Sequence, residues 1–168
     1  MRQRVAIAIA LLHDPEVIVA DEPTTALDVT IQAQILAEVQ KLAEDSGTAL
    51  IWITHDLSVV SSLADNIAVM YAGRVVEQGR AATVLQYPAH PYTHGLIESI
   101  PSRNKRGGDL AQIPGMTPPL LALPQGCAFR PRCPKATDAC RAEQPPRQMA
   151  TGQRARCIHP MQKAEVAQ

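Results

Sequence analysis

The apolar run Ile18-Val19-Ala20 ends in Asp21-Glu22, and a second run, Leu50-Ile51-Trp52-Ile53-Thr54, ends in His55. Carboxylates at a strand end are anchored by rigid backbone and face the crevice where ligands bind in open α/β sheets. Of two such groups, one can hold Mg²⁺ while the other activates water for attack on a phosphate. That order of parts suits an ATP-driven machine. Each residue also has a plainer reading. Asp-Glu-Pro after a strand is an ordinary polar turn, Asp28 can cap the helix that follows it, and a single His near a strand end is commonly structural. The second chemically loaded pattern is Cys127-x5-Cys133-x6-Cys140-x16-Cys157. Disulfides are disfavoured in a reducing compartment, and structural zinc usually uses cysteine pairs two to four residues apart. A four-cysteine iron–sulfur site tolerates wider spacing. Iron–sulfur, zinc and free thiols are the three readings.

These groups must be positioned by regular elements. Arg2 to Leu12 reads as a helix closed by His13-Asp14-Pro15, and Glu16 to Ala20 as a buried strand. From Asp28, a suitable N-cap, Ile31, Ile35, Val39 and Leu42 recur at helical spacing until Gly47. Strands are expected over 48–54 and 66–71, with a short helix over 57–64 between them. Ala72-Gly73 should turn the chain into a hairpin. A short helix over 81–86 and another opened by Pro91 follow. Residues 101–126 hold five prolines and little periodicity, which predicts an extended tether. Alternating strands and helices give an α/β layered sheet as the expected fold class.

The formal net charge of zero hides a segregation. Residues 1–100 carry 5 Lys/Arg against 12 Asp/Glu, whereas residues 101–168 carry 11 against 4. Twelve of the 14 prolines lie from Pro88 onward, and all four cysteines lie between 127 and 157. The expected division is therefore 1–87 and 88–168. Aromatics make up only 3% of the chain, so Ala, Val, Ile and Leu must build the core. The longest apolar run, Val5 to Leu12, is far below the roughly 20 residues that span a bilayer, and no secretory leader is read, so a cytoplasmic location is expected. The basic segment lacks a helix-turn-helix, paired zinc-finger spacing or an aromatic stacking set, which argues against nucleic acid as a partner.

Met1 to Ala8, Asp21-Glu22-Pro23, Ala26-Leu27-Asp28 and Thr54-His55-Asp56, in that order, resemble the C-terminal part of an ABC-transporter ATPase subunit. His90-Pro91-Tyr92-Thr93 and the Gly126 to Pro134 run further resemble the C-terminal extension of oligopeptide and dipeptide importer subunits. The resemblance implies a partial P-loop NTPase fold lacking its N-terminal half, with a small cysteine-rich extension. It implies Asp21 as the Walker B aspartate at Mg²⁺, Glu22 as catalytic base, His55 at the γ-phosphate and Asp28 in the loop where two ATPase subunits touch. It also implies a [4Fe–4S] cluster on Cys127, Cys133, Cys140 and Cys157. The implied partners are a second ATPase subunit, transmembrane permease subunits and, indirectly, an extracytoplasmic solute-binding protein, with the subunit peripheral on the inner membrane face. ATP-driven import of peptides or related small solutes is the implied function. A non-catalytic metal-binding or regulatory remnant is the alternative.

The 168 residues contain no Gly-x-x-x-x-Gly-Lys-Ser/Thr, hence no loop of backbone N–H groups and no lysine to cradle the β- and γ-phosphates. The Leu-Ser-Gly-Gly signature is also absent. By themselves these residues are expected to bind ATP negligibly and not to hydrolyse it, and to leave sheet edges and apolar faces uncovered.

Overall fold

The computed structural model describes residues 2–24, 28–101, 104 and 111–162, which fall into two compact units, 1–63 and 64–168. The first unit runs α1 (Arg2–Leu11), β1 (Val17–Asp21), α2 (Val29–Ser46), β2 (Ala49–Ile53) and α3 (Leu57–Leu63). Asp28 starts α2: one carboxylate oxygen accepts from the backbone N–H groups of Thr30 and Ile31, each at 3.0 Å. The helical spacing read from sequence holds, with Ile35 and Val39 buried. Gly47, at φ +70°, ends the helix in the left-handed conformation that glycine adopts without steric cost.

β1 and β2 pair in parallel, from Val17 opposite Ala49 to Asp21 opposite Ile53. The ladder continues at both ends, because Ala49 N–H donates to the Glu16 carbonyl and Glu22 N–H to that of Ile53, each at 2.9 Å. The expected fully buried strand is not what forms. Burial alternates along both strands, so Ile18, Ala20, Leu50 and Trp52 lie on a half-covered face while Val17, Val19, Ile51 and Ile53 remain exposed. A two-stranded pair covered on one face leaves every second side chain in water.

The second unit differs from the single layered sheet expected. Its strands β3 (Asn66–Tyr71), β4 (Arg74–Arg80), β5 (Arg147–Gln148) and β6 (Arg154–Ala155) form an antiparallel sheet in the order β3-β4-β6-β5. Helices α4 (Ala81–Gln86) and α5 (Pro91–Glu98) complete it. Ala72 and Gly73 both take positive φ, 47° and 78°, as a two-residue turn matched to strand twist requires. The core is aromatic despite the composition. Tyr71 meets Tyr92 with ring centroids 4.6 Å apart and Phe129 at 5.3 Å, and Val76 packs with them.

The compositional division at 87/88 falls inside this unit. The reason is Glu77 on β4, whose buried carboxylate accepts from the backbone N–H groups of Ala89 (2.7 Å) and His90 (2.8 Å) and from the Gln153 side chain (3.3 Å). One acidic group thus binds the hairpin to the segment before the cysteines and to the one between Cys140 and Cys157. His90, also buried, accepts from Tyr92 N–H through Nδ1 and caps α5, and burial pushes its imidazole down to about 4, so it is neutral at pH 7. The expected tether is also anchored where it is described. Ile113 packs on the aromatic core, and the Arg132 guanidinium donates to the carbonyls of Ile113 (3.2 Å) and Pro114 (2.8 Å).

Burial raises the Glu77 carboxyl above its ordinary 4.5, outweighing the N–H donors that favour its charged form. The folded state therefore holds this proton more tightly than the unfolded state, and the contribution to stability falls as pH rises from 4.5 through the folded-state value. Relative to Glu77→Gln, the urea midpoint of the wild-type chain should fall as pH is raised above 4.5. A difference between the two proteins that is flat, or that grows in favour of wild type over that range, contradicts the assignment.

Candidate functional site

The parallel register brings the ends of β1 and β2 side by side. Asp21 is the last residue of β1 and lies opposite Ile53; Glu22 and His55 lie just beyond the paired segment. The Glu22 carboxylate stands 3.0 Å from His55 Nδ1, with both side chains open to solvent. A neutral imidazole in that contact must carry its proton on Nδ1, which leaves Nε2 as the acceptor available to a ligand. Glu22 takes φ +44°, a left-handed conformation that costs a non-glycine residue about 1–2 kcal/mol. Strain of this kind concentrates where a side chain must be aimed rather than merely packed.

Asp56, next along the chain, starts α3 by accepting from Ser58 N–H at 2.8 Å and from the Ser58 hydroxyl. That hydroxyl bond, chiefly, holds its carboxyl below the usual range despite some opposing burial. Gln32 on α2 donates to the same residue at 3.4 Å. This connection ties the His55 loop to the helix that follows Asp28, and residue spacing carries no sign of it. Asp28 itself is seen as the cap of α2; the neighbouring Ala26 and Leu27 lie outside the described residues.

The four cysteines, 30 positions apart at the extremes, line one pocket together with Arg130 and Lys135. Backbone bonds close the loops between them. Cys127 N–H donates to the Cys140 carbonyl (3.0 Å), Arg130 N–H to that of Cys127 (3.0 Å), and Cys133 N–H to that of Arg130 (3.2 Å). Gly126 is required at the first of these loops. Its φ is +76°, and a Cβ there would run into the backbone of Cys140 and Arg141. All four thiols are free. Burial, followed by repulsion among the thiolates, pushes Cys157 up to about 11; burial likewise raises Cys127 and Cys133. The pocket therefore resists ionisation of its thiols unless a positive centre enters. As the side chains stand, no group of three or more His, Cys, Asp or Glu among the described residues is set to hold a metal ion.

Sequence reasoning named the acidic pair, the imidazole and the four thiols; the structure puts Glu22 against His55, Asp21 next to Glu22 at the end of β1, and the four thiols on one pocket. Sequence reasoning missed the roles of Glu77 and His90 and the separate tasks of Arg130 and Arg132. The available signals were the His90-Pro91-Tyr92-Thr93 segment and the double arginine beside Cys133.

Residues 76–140 match the family described as "Oligopeptide/dipeptide transporter, C-terminal region". The oligopeptide transport ATP-binding protein OppD of Salmonella typhimurium is 47% identical over 163 residues, covering 97% of this chain and 49% of the relative. The dipeptide transport ATP-binding protein DppD of Escherichia coli is 47% identical over 165 residues, 98% of this chain and 50% of that protein. OppD of Haemophilus influenzae is 52% identical over 140 residues, 83% and 43% respectively. The shared class is that of ATP-binding proteins of peptide transport. Over nearly its whole length this chain is similar to oligopeptide and dipeptide transport ATP-binding proteins, and it spans about half the length of the curated relatives it matches. No described helix is long and apolar enough to cross a membrane.

If Glu22 is strained by its backbone conformation, glycine at that position should be more stable than alanine, although neither carries the carboxylate. Glu22→Gly is expected to exceed Glu22→Ala by about 1 kcal/mol in urea unfolding followed by the fluorescence of Trp52, the chain's single tryptophan. Equal stabilities, or a more stable alanine variant, would refute the strain.

Proposed function

We propose that this chain contributes the Walker B, dimer-contact and histidine-loop part of an ATP-hydrolysing subunit that drives import of peptides or related small solutes. In this reading Asp21 holds Mg²⁺ on the nucleotide, Glu22 orients or deprotonates the attacking water, and His55 contacts the γ-phosphate through Nε2. Asp28 lies beside the surface offered to a second ATPase subunit. The observation that carries the reading is the Glu22–His55 contact of 3.0 Å at the rim of a parallel strand pair, in a chain 47% identical to OppD. Similarity to these proteins supports the remaining parts: permease subunits in the membrane, a solute-binding protein outside it, and a position on the inner membrane face. ATP binding and its loss on hydrolysis shift a two-state equilibrium that gates transport.

The phosphate-cradling loop is not among these 168 residues, so they are not expected to bind or turn over ATP by themselves. The exposed row Val17, Val19, Ile51 and Ile53 is consistent with a further layer of an ATPase domain covering that face.

Cys127, Cys133, Cys140 and Cys157 hold a [4Fe–4S] cluster in this reading, and the residues present fit it. Four thiols share one pocket, and Arg130 Nη1 there is buried with no hydrogen-bond partner, a donor that an anionic sulfur group would satisfy. Zinc fits less well, since structural zinc usually uses cysteine pairs two to four residues apart and these are spaced Cys127-x5-Cys133-x6-Cys140-x16-Cys157. A bound cluster supplies a one-electron redox centre and cross-links a region with little core of its own.

In a subunit that joins these residues to a phosphate-cradling loop, Glu22→Gln should abolish uptake of labelled di- and tripeptides while the amount of protein is unchanged. Undiminished uptake contradicts the catalytic assignment. Anaerobically purified chain is expected to be brown and to contain iron and acid-labile sulfide in similar amounts. Zinc alone, or no metal, would reject the cluster.

A further inference from the structure

The two arginines of the turn Arg130–Arg132 have separate tasks. Arg132 lies over the aromatic core: it donates to the carbonyls of Ile113 and Pro114, to Thr117 Oγ1 at 3.1 Å and to Tyr71 Oη at 3.3 Å, with its guanidinium 6.0 Å from the Tyr71 ring centre. Arg130 lines the cysteine pocket. Its backbone joins Cys127 to Cys133 through the two bonds described above, so its side chain projects from the loop that carries two of the four thiols. Its Nη1 is buried without an acceptor. The other cations lining the pocket are differently placed. Arg156 Nη1 donates to the Gln144 carbonyl at 3.1 Å, and Lys135 Nζ reaches the Pro160 carbonyl at 3.4 Å. A buried guanidinium N–H without an acceptor is destabilising, and an anionic acceptor in the pocket offsets that.

We propose that Arg130 is the positioning residue of the cysteine pocket, donating a hydrogen bond from its buried Nη1 to sulfur of the group held there and thereby setting that group's reduction potential. This inference rests on the iron–sulfur reading of the pocket. A hydrogen bond and a fixed positive charge favour the more negative, reduced state, so they raise the potential. Arg130 is thus a tuning element built into the same Arg-Pro-Arg turn whose second arginine fastens the 113–117 segment.

The test is a mediated dithionite titration of the anaerobic wild-type chain, followed by electron paramagnetic resonance, repeated on Arg130→Gln, Arg130→Lys and the control Arg141→Gln. Arg141 is exposed, pairs with Asp138 at 3.1 Å and removes the same charge from outside the pocket. Arg130→Gln should lower the midpoint by roughly a tenfold change in the reduction equilibrium, about 59 mV for one electron, Arg130→Lys by less, and Arg141→Gln not at all. Loss of the cluster from Arg130→Gln with retention in Arg130→Lys, at unchanged far-ultraviolet circular dichroism, also supports the positioning role. Equal potentials in wild type and Arg130→Gln, or an equal fall in Arg141→Gln, overturn this inference and leave the cluster reading intact. A wild-type chain without iron and sulfide removes both.

Discussion

The parallel register of β1 on β2 is the constraint on which the rim chemistry depends. Side chains alternate along a strand, so a slip of one residue would turn the half-covered row Ile18, Ala20, Leu50 and Trp52 out of step and shift Glu22 relative to His55. The register is fixed by more than the strand bonds. Thr48 Oγ1 donates to the Pro15 carbonyl at 2.9 Å and lies 2.8 Å from the Ser46 hydroxyl, locking the entry to β2 against the entry to β1. Asp28 at one end of α2 and Gly47 at the other set the length of the crossover between the strands. With both strands placed this way, Glu22 reaches the imidazole only through a left-handed backbone conformation. Local strain is accepted there because the surrounding ladder over-determines the chain path.

The second unit solves a different problem, which is to assemble four distant thiols with few apolar residues. Tyr71, Tyr92 and Phe129 supply a rigid aromatic floor, and Cys127 and Cys133 pack against it. Glu77 then draws residues 89, 90 and 153 to the hairpin, so the segment before the cysteines and the one between Cys140 and Cys157 are tied to one carboxylate. Gly126 allows the close backbone approach to Cys140. The redistribution of charge along the chain acquires a structural meaning here, since Arg130, Lys135 and Arg156 line the pocket in which burial disfavours the thiolates of Cys127, Cys133 and Cys157.

Elements carried by long periodic segments were legible from sequence. The α2 stripe with its Asp28 and Gly47 caps, the Ala72-Gly73 hairpin and Pro91 at the start of α5 all follow local rules that tertiary structure did not override. β5 and β6 were not legible, because two-residue strands have no periodicity and form only where β4 offers an edge to pair with. Glu77 was opaque for a related reason: an acidic residue within Arg74-Val75-Val76-Glu77-Gln78 reads as a solvent-facing strand position, and its burial depends on donors 12 to 76 residues away. Proline content suggested a loose segment before Gly126, whereas Arg132 hydrogen bonds hold part of it. The acidic pair and the imidazole were found because strand ends concentrate chemistry in α/β sheets, while their mutual contact required the register.

The account stands most directly on Glu22 and His55 forming one hydrogen-bonded pair. Long-range ¹H–¹⁵N correlation spectra of the 168-residue chain, recorded at a pH where the imidazole is neutral, report which ring nitrogen of His55 is protonated. The expected result is the Nδ1–H form, reverting toward Nε2–H when Glu22 is replaced by Gln. An Nε2–H imidazole in the wild-type chain, indifferent to the residue at position 22, would contradict the account.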